Sequence, residues 1–205
     1  MPNSPDVYLT DSAVAGKNGL GRVAHYITEG LSPLILVAAI SVIVAWHSGS
    51  TGWGIVTAVF ASGIPLSYII RGIRQGKYHD HHINSRERRP AVILFSAASV
   101  LVGLLLMLFF DAPRQLVALV VAMLAGLALT LAVTYFWKVS FHSAVAAGAA
   151  TIMVLVFGGW ALAAWIVVAA IGWSRIYLRS HTLAQVIVGW GLGALAAGGV
   201  FPLLA

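Results

Sequence analysis

Three polar segments interrupt an otherwise apolar chain, and each carries side chains able to act on a phosphoryl group. The first, Lys77 to Pro90, holds His79, Asp80, His81, His82, Arg86, Glu87, Arg88 and Arg89. The second, Lys138 to Ser143, holds Ser140, Phe141 and His142. The third, Ser174 to Gln185, holds Arg175, Arg179 and His181. Arginine presents a planar fork of donors that matches phosphate oxygens, so two arginines from separate segments could clamp one phosphoryl group. A serine hydroxyl and backbone N–H groups add donors. One neutral imidazole can attack phosphorus, and one imidazolium can protonate the departing oxygen. That set suffices for phosphate monoester hydrolysis without a metal or any other cofactor.

The elements that must position these groups are membrane helices. Of 205 residues, 60% are hydrophobic and 9% charged, against about 25% charged in a soluble domain. Mean hydropathy is +0.93. A soluble globular protein and a disordered chain are thereby excluded. Long unbroken apolar blocks also exclude a barrel of short alternating strands. Cysteine is absent, which removes disulfides, thiolate metal sites and cysteine nucleophiles. The net charge of +6 lies between apolar blocks, so it points to lipid headgroups or a phosphorylated substrate rather than nucleic acid.

Seven apolar blocks run roughly over 32–47, 52–70, 91–110, 115–136, 143–157, 160–173 and 182–204. Against the ~20 residues needed to cross a bilayer core, the fifth and sixth are short. The expected fold is an all-α polytopic bundle of about seven spans, or six at the lower count. Residues 1–31 form a polar N-terminal tail in which 20–31 could make an interfacial helix, and 32–205 form one membrane domain. Asp111-Ala112-Pro113-Arg114 and Gly158-Gly159 read as turns. With seven spans, eleven of the twelve lysines and arginines, all but Arg114, fall on the N-terminal side. The positive-inside rule then turns the three polar segments to the cytoplasm, most simply at a bacterial inner (plasma) membrane. Gly189, Gly193 and Ala197 recur at spacing four, which suits close helix approach inside the chain or, alternatively, a homo-oligomer face.

The motifs resemble those of the type 2 phosphatidic acid phosphatase (lipid phosphate phosphatase) superfamily. Ser174-Arg175, five residues and then His181 is similar to its third signature. Ser140-Phe141-His142 is similar to its Pro-Ser-Gly-His, and Arg89-Pro90 to the end of its Lys, six residues, Arg-Pro. The likeness covers about residues 77–190, in family order, as in a divergent bacterial-type member. It implies that His181 is the nucleophile and forms a phosphohistidine. It implies that His142 is the acid for the leaving alcohol and then the base for water. Arg89, Ser140 and Arg175 would bind phosphate, helped by the Phe141 backbone N–H. Such enzymes need no metal and act on membrane lipids bearing a terminal phosphate or diphosphate.

Four positions depart from the family pattern. His82 stands where the family has lysine, and binds phosphate only when protonated. Lys77 could substitute only through a bent loop. Val139 and Phe141 replace the proline and glycine of the second signature. Gln185 stands four residues after His181, where the family has aspartate. Its carbonyl can still accept from Nδ1–H and hold the useful tautomer, but it carries no charge. Asp80 or Glu87 could supply a carboxylate instead.

The expected substrate is an isoprenoid or polyprenyl phosphate or diphosphate, with phosphatidic acid and phosphatidylglycerophosphate as alternatives. Two competing classes use the same residues. One is a weakly active or inactive protein that binds anionic lipid, favoured by Gln185 and His82. The other is a metal enzyme built on His79, Asp80, His81 and His82. Trp137 and Tyr135 sit where the fourth block meets the polar face and could line a substrate path. His25 and His47 read as interfacial or tail residues, and most tryptophans as an aromatic belt.

Overall fold

A computed structural model describes residues 19–76 and 89–205, and of Arg89 only the backbone. Lys77, the His79–His82 run and the carboxylates Asp80 and Glu87 lie outside the described residues, as does the tail before Gly19. The described chain is all helical: α1 Gly19–Gly30, α2 Pro33–His47, α3 Thr51–Arg74, α4 Arg89–Phe109, α5 Arg114–Phe136, α6 Phe141–Phe157, α7 Gly159–Tyr177 and α8 Leu183–Leu204. Every apolar block of the sequence is a helix. Five of them (α3, α4, α5, α7 and α8) are long and apolar enough to cross a membrane alone. A sixth span arises if α1 and α2, bent by 50° at Leu31-Ser32, are taken together. The remaining block, the fifth, is α6, only 17 residues long, or about 25 Å at 1.5 Å per residue.

The turns follow from backbone chemistry. α4 ends with Asp111 at φ +52, and the Ala112 N–H reaches back to the Met107 carbonyl at 2.8 Å. α2 ends in the same way around Gly49, and Gly158, at φ +85, reverses the chain into α7. Left-handed residues at these ends satisfy carbonyls that the helix leaves open. Within α3, Val59–Gly63 widens to a π-turn, the Ile64 N–H bonding Val59. The next such bond would come from Pro65, which has no N–H. The Phe60 carbonyl so released accepts from Ser99 Oγ of α4 at 2.6 Å. In hydrocarbon a freed carbonyl needs such a partner.

The tightest pairing is α6 against α8. A Cβ on Gly189 would lie 2.6 Å from the Ser140 carbonyl oxygen, and one on Gly193 would run into the Ala144 carbonyl. The stripe of small residues on α8 therefore serves packing inside the chain. It faces a matching stripe on α6, Ala144 and Gly148. Lipid is as apolar as leucine, so helices in a bilayer associate through close packing more than through hydrophobicity. α5 closes over this pair, α2 lies against α3 and α6, and α4 lies against α5. α1 packs on α7 through Gly21, Ala24 and Thr28 and leaves Leu20, Val23 and Tyr26 exposed.

Candidate active site

The starts of α2, α4 and α6 and the ends of α3, α5 and α7 meet around one cleft of about 880 Å³, open mouth included. Among the described residues, three ionisable side chains line it together: His142, Arg175 and His181. Their exposures are 6%, 1% and 6%. A guanidinium and two imidazoles this deep are expensive to desolvate, which ordinary packing would not require. The rest of the wall, among the described residues, is apolar apart from Ser32, Ser96, Thr130 and Thr134.

The spacing of six between Arg175 and His181 is explained by how α7 ends. The Ser180 N–H bonds the Arg175 carbonyl at 3.1 Å and the Arg179 N–H bonds Ile176 at 2.9 Å. Arg179 takes φ +57. This is a Schellman cap with a non-glycine residue at its left-handed position. The reversal also brings the His181 N–H onto the Arg175 carbonyl, again at 3.1 Å. The cap thus folds the third polar segment back so that guanidinium and imidazole face the same space.

The ring of His181 is held from α8. Thr182 caps that helix: its Oγ1 accepts from the Gln185 N–H at 3.4 Å, and its own N–H donates to Gln185 Oε1 at 3.1 Å. His181 Nδ1 lies 3.1 Å from the same Oε1. A backbone N–H can only donate, so the amide atom it meets is the oxygen. That oxygen can only accept, so Nδ1 carries the hydrogen and Nε2 of neutral His181 keeps its lone pair. The pattern Thr182-x-x-Gln185 is a capping box legible in the sequence, although Gln185 attracts attention there as a missing carboxylate.

His142 is the second residue of α6, and Ser140 is its N-cap. The Ser140 side chain is wholly buried. Its Oγ accepts from the Ser143 Oγ at 2.8 Å and from the Ser143 N–H at 3.4 Å. The cleft wall passes from Val139 to Phe141 without it. The structure therefore gives Ser140 a capping role, and the cleft does not gather it with the histidines. Phe141, at the first turn of α6, does line the cleft. The dipole of such a terminus favours an anion.

Arg89 opens α4, whose next turn supplies Val92 and Ile93 to the cleft; the Arg89 side chain and His82 lie outside the described residues. Tyr135 and Trp137 are 57% and 39% exposed and are not in the cleft wall. Neither His25 nor His47 lines it, and His47 instead meets Phe157 edge-on at 4.8 Å. One further contact tied to this region was not foreseen from sequence. Thr28 of α1 lies 3.1 Å from Ser174 Oγ, beside Arg175. The Ser174 hydroxyl donates to the Ile171 carbonyl, so Thr28 is the donor between them.

No family model, curated protein or solved structure matches this chain.

Proposed function

We propose that the protein is a membrane-embedded, metal-independent phosphatase acting on a lipid phosphate through a phosphohistidine. The observation that carries this reading is the joint presence of His142, Arg175 and His181 in one cleft at the end of the bundle. In this mechanism the Nε2 lone pair of His181 attacks phosphorus, and His142 in its protonated form gives its proton to the leaving alkoxide. Phosphate is then carried on His181. His142, now neutral, takes a proton from water as the water attacks, and the P–N bond breaks to release inorganic phosphate. Arg175 and the α6 N-terminus hold the phosphoryl oxygens, with Arg89 as the second guanidinium.

Gln185 supplies the tautomer but not the charge. The positive ring of the intermediate lacks a carboxylate partner there, so turnover is slow by the standard of a charged dyad. In a serine protease the comparable change of aspartate to asparagine cost about 10⁴ in turnover, there through the wrong tautomer. Here the capped Oε1 keeps the right tautomer, so the expected deficit is smaller. Positive-inside counting turns the cleft toward the cytoplasm, and a bacterial inner membrane is the proposed location. The lipid is an isoprenoid phosphate or diphosphate; phosphatidic acid and phosphatidylglycerophosphate are the alternatives.

A second reading, an inactive binder of anionic lipid, is favoured by Gln185 and His82. The discriminating experiment measures phosphate release by purified protein from a panel of phospho- and diphospho-lipids in excess chelator. His181→Ala should lose at least about 10³-fold of the rate while keeping the wild-type elution profile. Equal release by both proteins would remove His181 from the nucleophile's role, and loss of activity in chelator would favour a metal enzyme.

A further inference from the structure

Beside the cleft lies a second cavity, of about 870 Å³, open mouth included, lined by α2 to α6 and by α8. Pro33, Leu34, Ser96, Leu127, Thr130 and Phe141 line both spaces, so the two adjoin. Beyond Ser96 and Thr130 the inner wall has no polar side chain. Its wall includes small residues, Ala122 and Gly126 on α5, Ala149 on α6 and Ala196 on α8. The geometry points to a chain pocket. We propose that this cavity takes one unbranched or isoprenoid tail of the substrate, of about three isoprene units, while its phosphate sits between His142, His181 and Arg175. The proposal rests on the phosphatase reading and narrows its substrate class.

Two helices set the depth independently. On α6 the lining runs from Phe141 to Ile152, and on α5, which runs the other way, from Thr130 to Leu119. Each stretch is twelve residues, eleven steps of 1.5 Å, or about 16 Å. A methylene zigzag of ~1.5 Å bonds at near-tetrahedral angles advances about 1.25 Å per carbon. The depth therefore matches about 13 carbons, close to the main chain of three isoprene units. Phe141 stands where head and tail would meet. A tail leaving the bilayer for this cavity gains little from hydrophobicity, since both are apolar. Selection by length comes from dispersion contacts, which a short tail leaves unmade, and from collision of a long tail with the floor at Ile152.

The test is a length series on the full-length protein in a steroid-based detergent, too broad to enter a single-chain cavity. Phosphate release is measured from prenyl monophosphates of one to five isoprene units. We expect kcat/KM to rise about tenfold or more up to three units and to fall at five. Ile152→Ala, which lowers the floor, should move the optimum to longer chains, and Ala149→Leu should move it to shorter ones. Release that is equal at every length overturns the chain pocket and leaves the phosphatase standing. No release at any length overturns the phosphatase. The pocket is then judged by thermal stabilisation with alkylphosphonates: a maximum near 12–14 carbons supports it, and a flat series overturns it.

Discussion

The Ser140 backbone N–H donates to the Gln185 carbonyl at 3.2 Å. This one bond ties the N-cap of α6 to the first turn of α8, and so ties the segment bearing His142 to the segment bearing His181. Gln185 serves both at once, through its main chain to Ser140 and through its side chain to His181 and Thr182. Directly above, Gly189 lets the α8 backbone lie against the Ser140 carbonyl. Two histidines 39 positions apart are thus placed by contacts concentrated on one turn of one helix.

Gln185→Glu keeps the shape and the acceptor for both Thr182 and His181, and adds a negative charge at a helix N-terminus, where it is favoured. We expect phosphate release to rise by about tenfold or more, because the charge supports the positive ring that the reaction creates. Gln185→Leu should lower it by about 10²-fold or more by freeing the tautomer. Steady-state rates on one lipid phosphate decide; a glutamate variant no faster than wild type would remove this role from position 185.

Ser140→Ala removes an N-cap and should cost about 1 kcal/mol of stability. Because the hydroxyl caps α6 and Ser140 is not part of the cleft wall, KM should change much less than in Arg175→Ala. A thermal melt and a KM for each variant test this. An equal rise of KM in both would return Ser140 to the phosphate.

Gly193→Val drives a side chain into the Ala144 carbonyl, and helix backbone cannot yield as a flexible side chain can. Overpacking of this kind costs about 1–3 kcal/mol and often more. Loss of the monodisperse peak and a lower melting temperature are expected. Gly191→Ala, with open space around its Cβ, is the control and should behave as wild type.

Arg179→Gly relieves a left-handed residue whose side chain is exposed. It should be neutral or stabilising, by up to about 1 kcal/mol. Arg179→Val should destabilise and, by distorting the turn that holds His181 on Arg175, should lower phosphate release as well. Melting temperature and rate measured on both variants check the pair.

What the sequence determined by itself is the class of fold and the candidate chemistry. Apolar blocks of near-membrane length permit only helices in lipid, because each backbone group must be satisfied within its own segment. The stripe Gly189, Gly193, Ala197 likewise announced a close approach, since only small residues permit one. The number of spans was less legible: α6 is too short to count as a span alone, and the bend between α1 and α2 depends on packing. Thr182-x-x-Gln185 was readable as a cap, but the left-handed Arg179 was not, because no local rule selects arginine there. Only the tertiary structure decided that Ser140 turns to Ser143, that Phe141 stands at a junction, and that an apolar hollow adjoins the cleft. Those outcomes depend on which helix lies against which, and that is set by long-range packing of side chains that look interchangeable along the chain.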